Sequence, residues 1–96
     1  MTVDVRSVHF DLGEASRAYL DLKLERIAYA KDMIVDLIIV ITKEKEFKLE
    51  ATVNFRWGVQ AHVEDREFDV NTGMDKLMDR LEQKISKEKE KVQERK

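Results

Sequence analysis

Along this chain the apolar residues change spacing from every second position to every third or fourth, and the changes mark the elements. Val3 and Val5 alternate with Asp4 and Arg6, which predicts a strand over Thr2 to Phe10. Val8 and Phe10 fall out of phase, so a bulge or break is expected near Ser7. Asp11-Leu12-Gly13 reads as a turn with Asp11 as a helix cap. Glu14 to about Ala30 reads as a helix. Leu20, Leu24 and Ile27 form one apolar face; Ala15, Ala18 and Leu22 form another. Two apolar sides predict a helix lodged between a sheet and a second helix.

The run IVDLIIVI within Met33 to Thr42 is the pattern of a strand inside a sheet, with Asp36 marking its open end. Lys43 to Glu46 is a charged turn. From Phe47 to Trp57, Phe47, Leu49, Ala51, Val53, Phe55 and Trp57 alternate with polar residues. Gly58 predicts a hairpin turn, and Val59 to Glu64 is the return strand. Asp65 to Thr72 reads as an acidic linker with Phe68 and Val70 as core anchors. Thr72 is the expected N-cap of the last helix, with Asp75 completing a capping-box-like pair. The three glycines are all expected at turns.

In that last helix Met74, Leu77, Met78, Leu81, Ile85 and Val92 follow the spacing of one face. Lys76, Arg80, Lys84, Lys87 and Lys91 fall within an arc of about 80° at 3.6 residues per turn. Asp75, Asp79, Glu82 and Glu90 occupy a third side. The order β-α-β-β-β-α requires a parallel first pair with a right-handed crossover, then an antiparallel meander. The expected fold class is α+β: a two-layer sandwich with a four-stranded mixed sheet and two helices on one face. Residues 1–92 form a single domain, and 93–96 form a frayed tail.

Composition narrows the function classes. The 96 residues are 43% hydrophobic and 40% charged, with net charge −2. No apolar run reaches the roughly 18 residues of a membrane span. No secretory signal is legible at the N-terminus, so a cytoplasmic location without a membrane partner is expected. There is no cysteine. Charge is uneven: Met1 to Met74 holds 10 basic and 14 acidic residues, and Asp75 to Lys96 holds 8 and 6.

No glycine-rich phosphate loop and no nucleophile elbow is present, so neither catalysis nor a cofactor is expected. His9 and His62 fall on the first and last strands, about 14 Å apart at 4.8 Å per strand, which leaves no metal site. Tyr19, beside Lys23 and Arg26, is the aromatic best placed to stack on RNA, with Tyr29 a further candidate. Trp57 shares the inward phase and is expected in core or hairpin-tip packing. Two helices side by side, with Lys23 and Arg26 on one and the basic stripe on the other, predict a groove with two basic walls. Such a groove would neutralise RNA phosphates.

The chain resembles the ribosome hibernation-promoting factors and ribosome-associated inhibitor proteins of the sigma-54 modulation protein family, short form. The resemblance rests on Met74-Asp75, Asp79-Arg80-Leu81, Gln83, Ile85, Lys87, Lys89 and Lys91, and on Glu14-Ala15, Arg17, Tyr19 and Lys23. The chain departs from the family's Asp-x-Tyr-Ala-Ala-Ile-Asp before the last helix, having Glu67 to Asp75 there instead. The resemblance implies the β-α-β-β-β-α fold and a non-enzymatic protein bound to rRNA in the decoding cleft of the small ribosomal subunit. There it would occlude the tRNA and mRNA sites and hold ribosomes idle under stress. It implies rRNA contacts at Lys23, Arg26, Arg80, Lys87, Lys89 and Lys91; the helical wheel adds Lys76 and Lys84. No DNA partner is expected. The alternative is a homodimeric protein–protein adaptor of the same fold, with Ala15, Ala18 and Leu22 as its interface.

Overall fold

A computed structural model describes residues 1–94, with side chains described as far as residue 91. The order is β1 (Thr2–Val8), α1 (Glu14–Leu24), a 3-10 helix (Glu25–Ala30), β2 (Ile34–Lys43), β3 (Phe47–Phe55), β4 (Gln60–Glu67) and α2 (Val70–Glu94). The sheet order is β1-β2-β3-β4. β1 runs parallel to β2, and the two later pairs are antiparallel. This is the expected four-stranded mixed sheet, with the helices covering one face.

Register decides the faces. Val3 lies beside Leu37, Leu37 beside Val53, and Val53 beside Ala61, so odd-numbered residues of the four strands share one face, except at the start of β2, where a register shift between Ile34 and Asp36 puts Ile34 in the core. That face buries Leu37, Ile39 and Ile41 with Leu49, Ala51 and Val53. Met74, Leu77, Met78, Leu81 and Ile85 of α2 cover it, each fully buried, beside Leu20 and Ile27. Burying one such side chain is worth about 1.5–3 kcal/mol. The opposite face is polar except for half-buried Val8, Ile38 and Val40.

Several local expectations are corrected. The pairing of β1 with β2 runs unbroken to Val8, so there is no bulge at Ser7. The break falls at His9, whose φ of 66° reverses the chain's phase. Phe10 thereby returns to the core edge-on to Phe47, 5.1 Å between centroids. Gly13, not Asp11, precedes the first turn of α1, and no side chain caps it. The single helix expected to Ala30 tightens to 3-10 geometry at Glu25. Ile27 and Ala30, one 3-10 turn apart, then eclipse each other and are both buried. Ala15, Ala18 and Leu22 face solvent, so the second apolar side of α1 lies in no crevice.

β3 ends at Phe55, and Trp57 sits in the hairpin loop. Gly58, at φ 86°, closes that loop where a side chain would be strained. β4 extends to Glu67, absorbing much of the expected linker. Phe68 lies just past the strand in the outward phase and is 78% exposed, so it is no core anchor. Val70 does pack against the core. Asp69 takes the capping role expected of Thr72. Its carboxylate accepts the Thr72 backbone N–H at 2.9 Å and the Thr72 hydroxyl at 2.8 Å. Those bonds, the backbone one first, hold the Asp69 carboxyl below its usual range.

Gly73 lies inside α2, not at a turn. A Cβ there would meet Leu49 Cδ1 at 2.6 Å, so its hydrogen lets the first turn of α2 seat on β3. The Val92 side chain and the end of the expected tail lie outside the described residues.

Candidate nucleic-acid interface

The apolar stripe of α2 faces the sheet, which turns its acidic and basic stripes to opposite flanks. The acidic flank meets α1 and the 3-10 helix. Lys23 Nζ lies 3.1 Å from Asp75, and Arg26 lies 3.0 Å from Asp79 and 3.1 Å from Glu82. Tyr19 donates its hydroxyl to Asp75 at 2.6 Å. Tyr29 and Ser86 hydroxyls are 3.1 Å apart, and Lys89 Nζ stands 5.3 Å from the centre of the Tyr29 ring.

These contacts perturb the groups that make them. The Tyr19 hydrogen bond, helped by the Lys23 ammonium, holds the Asp75 carboxyl below its ordinary value. The same bond, with desolvation, pushes Tyr19 up. Hydrogen bonding to Asp75 raises Lys23, and hydrogen bonding to Asp79 and then Glu82 raises Arg26.

The two-walled basic groove expected between the helices is therefore replaced by an ion-paired seam. The acidic stripe finds its partners in the very cations, Lys23 and Arg26, that were to form the second wall. Tyr19, the leading candidate for stacking, is engaged in the same seam, with Lys23 Nζ 5.3 Å from its ring centre. Charge complementarity across the helix pair was the available signal: two cations on one helix against three carboxylates on the other.

The basic flank of α2 looks the other way, over β4. Arg80, Gln83, Lys84 and Lys87 line one wall of a shallow groove, and His62 and Glu64 line the other. Lys76, Asp79 and Asp65 continue it toward the start of α2. Lys76 is paired with Glu67 at 3.1 Å. Arg80, Lys84 and Lys87 are exposed, and among the described residues none has an ion-pair partner. Lys91 is exposed one turn beyond. Of the eight basic residues expected at the site, Lys76, Arg80, Lys84, Lys87 and Lys91 share this flank. Lys23, Arg26 and Lys89 lie toward the other.

On the open sheet face, ligand atoms of Glu50, His62 and Glu64 lie within 4.8 Å of one another. Lys48 Nζ sits 3.7 Å from Glu50 and 3.6 Å from Glu64, so an ammonium already balances that charge. His9 lies beyond β1, at the opposite edge of the sheet from His62. Trp57 stacks on Phe55 at 5.3 Å between centroids and donates its indole N–H to Glu88 at 2.8 Å. This is hairpin-tip packing, and it ties the hairpin to α2.

Comparison with known proteins agrees with this architecture. The family described as Sigma 54 modulation protein / S30EA ribosomal protein matches residues 3–93. A protein of Azotobacter vinelandii named ribosome hibernation promoting factor is 30% identical, covering 99% of this chain and 89% of the relative. A Pseudomonas putida protein of the same name is 32% identical, covering 97% and 91%. A ribosomal subunit interface protein from Coxiella burnetii superposes with a TM-score of 0.84 at 27% identity, over 93% of this chain and 98% of that one. The N-terminal domain of Thermus thermophilus Protein Y shares the fold, with a TM-score of 0.77 at 22% identity over 91% and 98%.

Proposed function

The chain belongs to the Sigma 54 modulation protein / S30EA ribosomal protein family, and on that premise we propose that it is a non-enzymatic ribosome hibernation factor. It binds rRNA in the decoding cleft of the small subunit, occludes the tRNA and mRNA sites, and holds translation idle under stress in the cytoplasm. Similarity to relatives named for ribosome hibernation along nearly their whole length supports the reading.

The observation that carries it is the basic flank of α2. Arg80, Lys84 and Lys87 project from consecutive turns, and among the described residues no carboxylate lies within 4.0 Å of them, although Glu64 stands on the facing wall. Three or four cations along one helix can neutralise several phosphates of folded RNA and release their counterions on binding. Backbone and shape recognition needs no base-reading motif. In this arrangement Arg80, Lys84, Lys87 and Lys91 make direct phosphate contacts, and Lys76 does so when released from Glu67. Lys23, Arg26 and Lys89 add positive potential from beside the seam.

Co-sedimentation with purified small subunits tests the reading. The protein should pellet with subunits at low salt and leave them at high salt. Protein that stays in the supernatant at low salt defeats it. The adaptor alternative draws on the net charge of −2 and the changed entry to α2, and the exposed Ala15, Ala18 and Leu22 strip, where Leu22 is 61% exposed, would be its interface.

A further inference from the structure

We propose that the edge of β1 is a homodimer interface, where two copies pair antiparallel about Val5 to form one continuous eight-stranded sheet. Among the described residues β1 pairs only with β2, so its other side presents backbone groups without a strand partner. Its pairing runs from Thr2 to Val8 without a bulge. The strand contains neither proline nor lysine, which are common means of blunting an exposed edge. The other edge, β4, is flanked by the basic stripe of α2.

The side chains of β1 are complementary to themselves. Antiparallel pairing about Val5 sets Asp4 of one copy opposite Arg6 of the second, and Arg6 opposite Asp4. Val5 meets Val5, Val3 meets Ser7, and Thr2 meets Val8. Each pair joins residues of the same parity, so both members lie on the same sheet face. Asp4 and Arg6 already contact each other at 2.7 Å on the open face, with side chains 46% and 62% exposed. A second copy converts that exposed pair into a row of four alternating charges across two strands. Half-buried Val3 and Val5 gain cover on the helix side.

A second copy fits because the two charges of this edge, Asp4 and Arg6, are of opposite sign and complement those of an antiparallel copy, and because the edge runs from Thr2 to Val8 without a bulge. One strand pair is small for a specific interface, so the dimer is a weak, concentration-dependent one. The basic flank of α2 lies at the far edge of the sheet and stays open. The inference therefore stands apart from the ribosome reading.

Sedimentation equilibrium over micromolar to millimolar protein tests it, with circular dichroism as the check on folding. The wild type should show a reversible monomer–dimer equilibrium. Asp4→Arg places arginine against arginine, and Arg6→Asp places aspartate against aspartate. Each variant alone should dimerise at least about tenfold more weakly. Mixed in equal amounts, the two variants should form a heterodimer, because each then meets its complement. A wild type that stays monomeric throughout overturns the proposal. So do single variants that dimerise like wild type, a folded mixture that fails to associate, or a dimer abolished by Leu22→Glu.

Discussion

Tyr19 donates its hydroxyl to Asp75 across the two helices at 2.6 Å, and Lys23 reaches the same carboxylate at 3.1 Å. One acid of α2 is thus shared by two residues one turn apart on α1. The carboxyl is held below its ordinary range, and both partners are raised above theirs. A lowered acid contributes stability above its unfolded pKa of about 4, lost as pH falls through the folded value. Raised Tyr and Lys groups contribute below about 10, lost as pH climbs through their folded values. Stability should therefore plateau between those limits and fall at both ends. Asp75→Asn should lower the thermal midpoint by a few degrees at neutral pH and flatten both limbs. A variant whose pH profile parallels wild type would show that the seam contributes nothing.

The close approach at Gly73 gives a second expectation. In an exposed helix interior Gly→Ala stabilises by about 0.5–1 kcal/mol. Here the added methyl would lie 2.6 Å from a side-chain carbon of fully buried Leu49. Overpacking a core costs about 1–3 kcal/mol, so the clash should win. Urea unfolding of Gly73→Ala should give a net loss of about 1 kcal/mol; a gain would mean that Leu49 moves aside freely.

Leu81 is fully buried beneath α2. Leu81→Ala should cost about 2–5 kcal/mol, through lost transfer energy plus the cavity left behind. The upper end of that range is a large share of the about 5–15 kcal/mol by which a domain is held folded. A loss below about 1 kcal/mol would mean the helix repacks and is not held by this stripe.

Trp57 is the chain's single tryptophan, so its emission reports one contact. It donates to Glu88 near the distal part of α2. Glu88→Ala should change the emission maximum or intensity while leaving far-ultraviolet circular dichroism unchanged. Identical spectra would place Trp57 away from α2 in solution.

The strand order, the inward phases and the apolar stripe of α2 were legible because burial imposes periods of 2 and 3.6 that any reading can count. The flank on which each charged stripe falls was not. Periodicity gives angles around one helix, whereas Asp79 meets Arg26 only because the crossover sets α1 and the 3-10 helix that follows it beside that flank. Phe68 misleads because hydrophobicity outweighs phase on inspection. Its even number puts it opposite Val63 and off the core face. His9 misleads because its left-handed turn is stereochemically unusual, so the phase slip before Phe10 resembles a bulge. The basic site residues were legible as a stripe, but their separation into a ion-paired set and an open set required the packed helices.

In the proposed function the open basic flank of α2 grips ribosomal RNA. The most direct test is co-sedimentation of wild type and Arg80→Glu/Lys84→Glu/Lys87→Glu with small subunits across a salt series. Wild-type affinity should fall linearly on a logarithmic salt scale, by about 0.7–0.9 per phosphate contact. The folded triple variant should remain in the supernatant at the lowest salt. A triple variant that pellets with the same affinity and the same salt slope as wild type would contradict it.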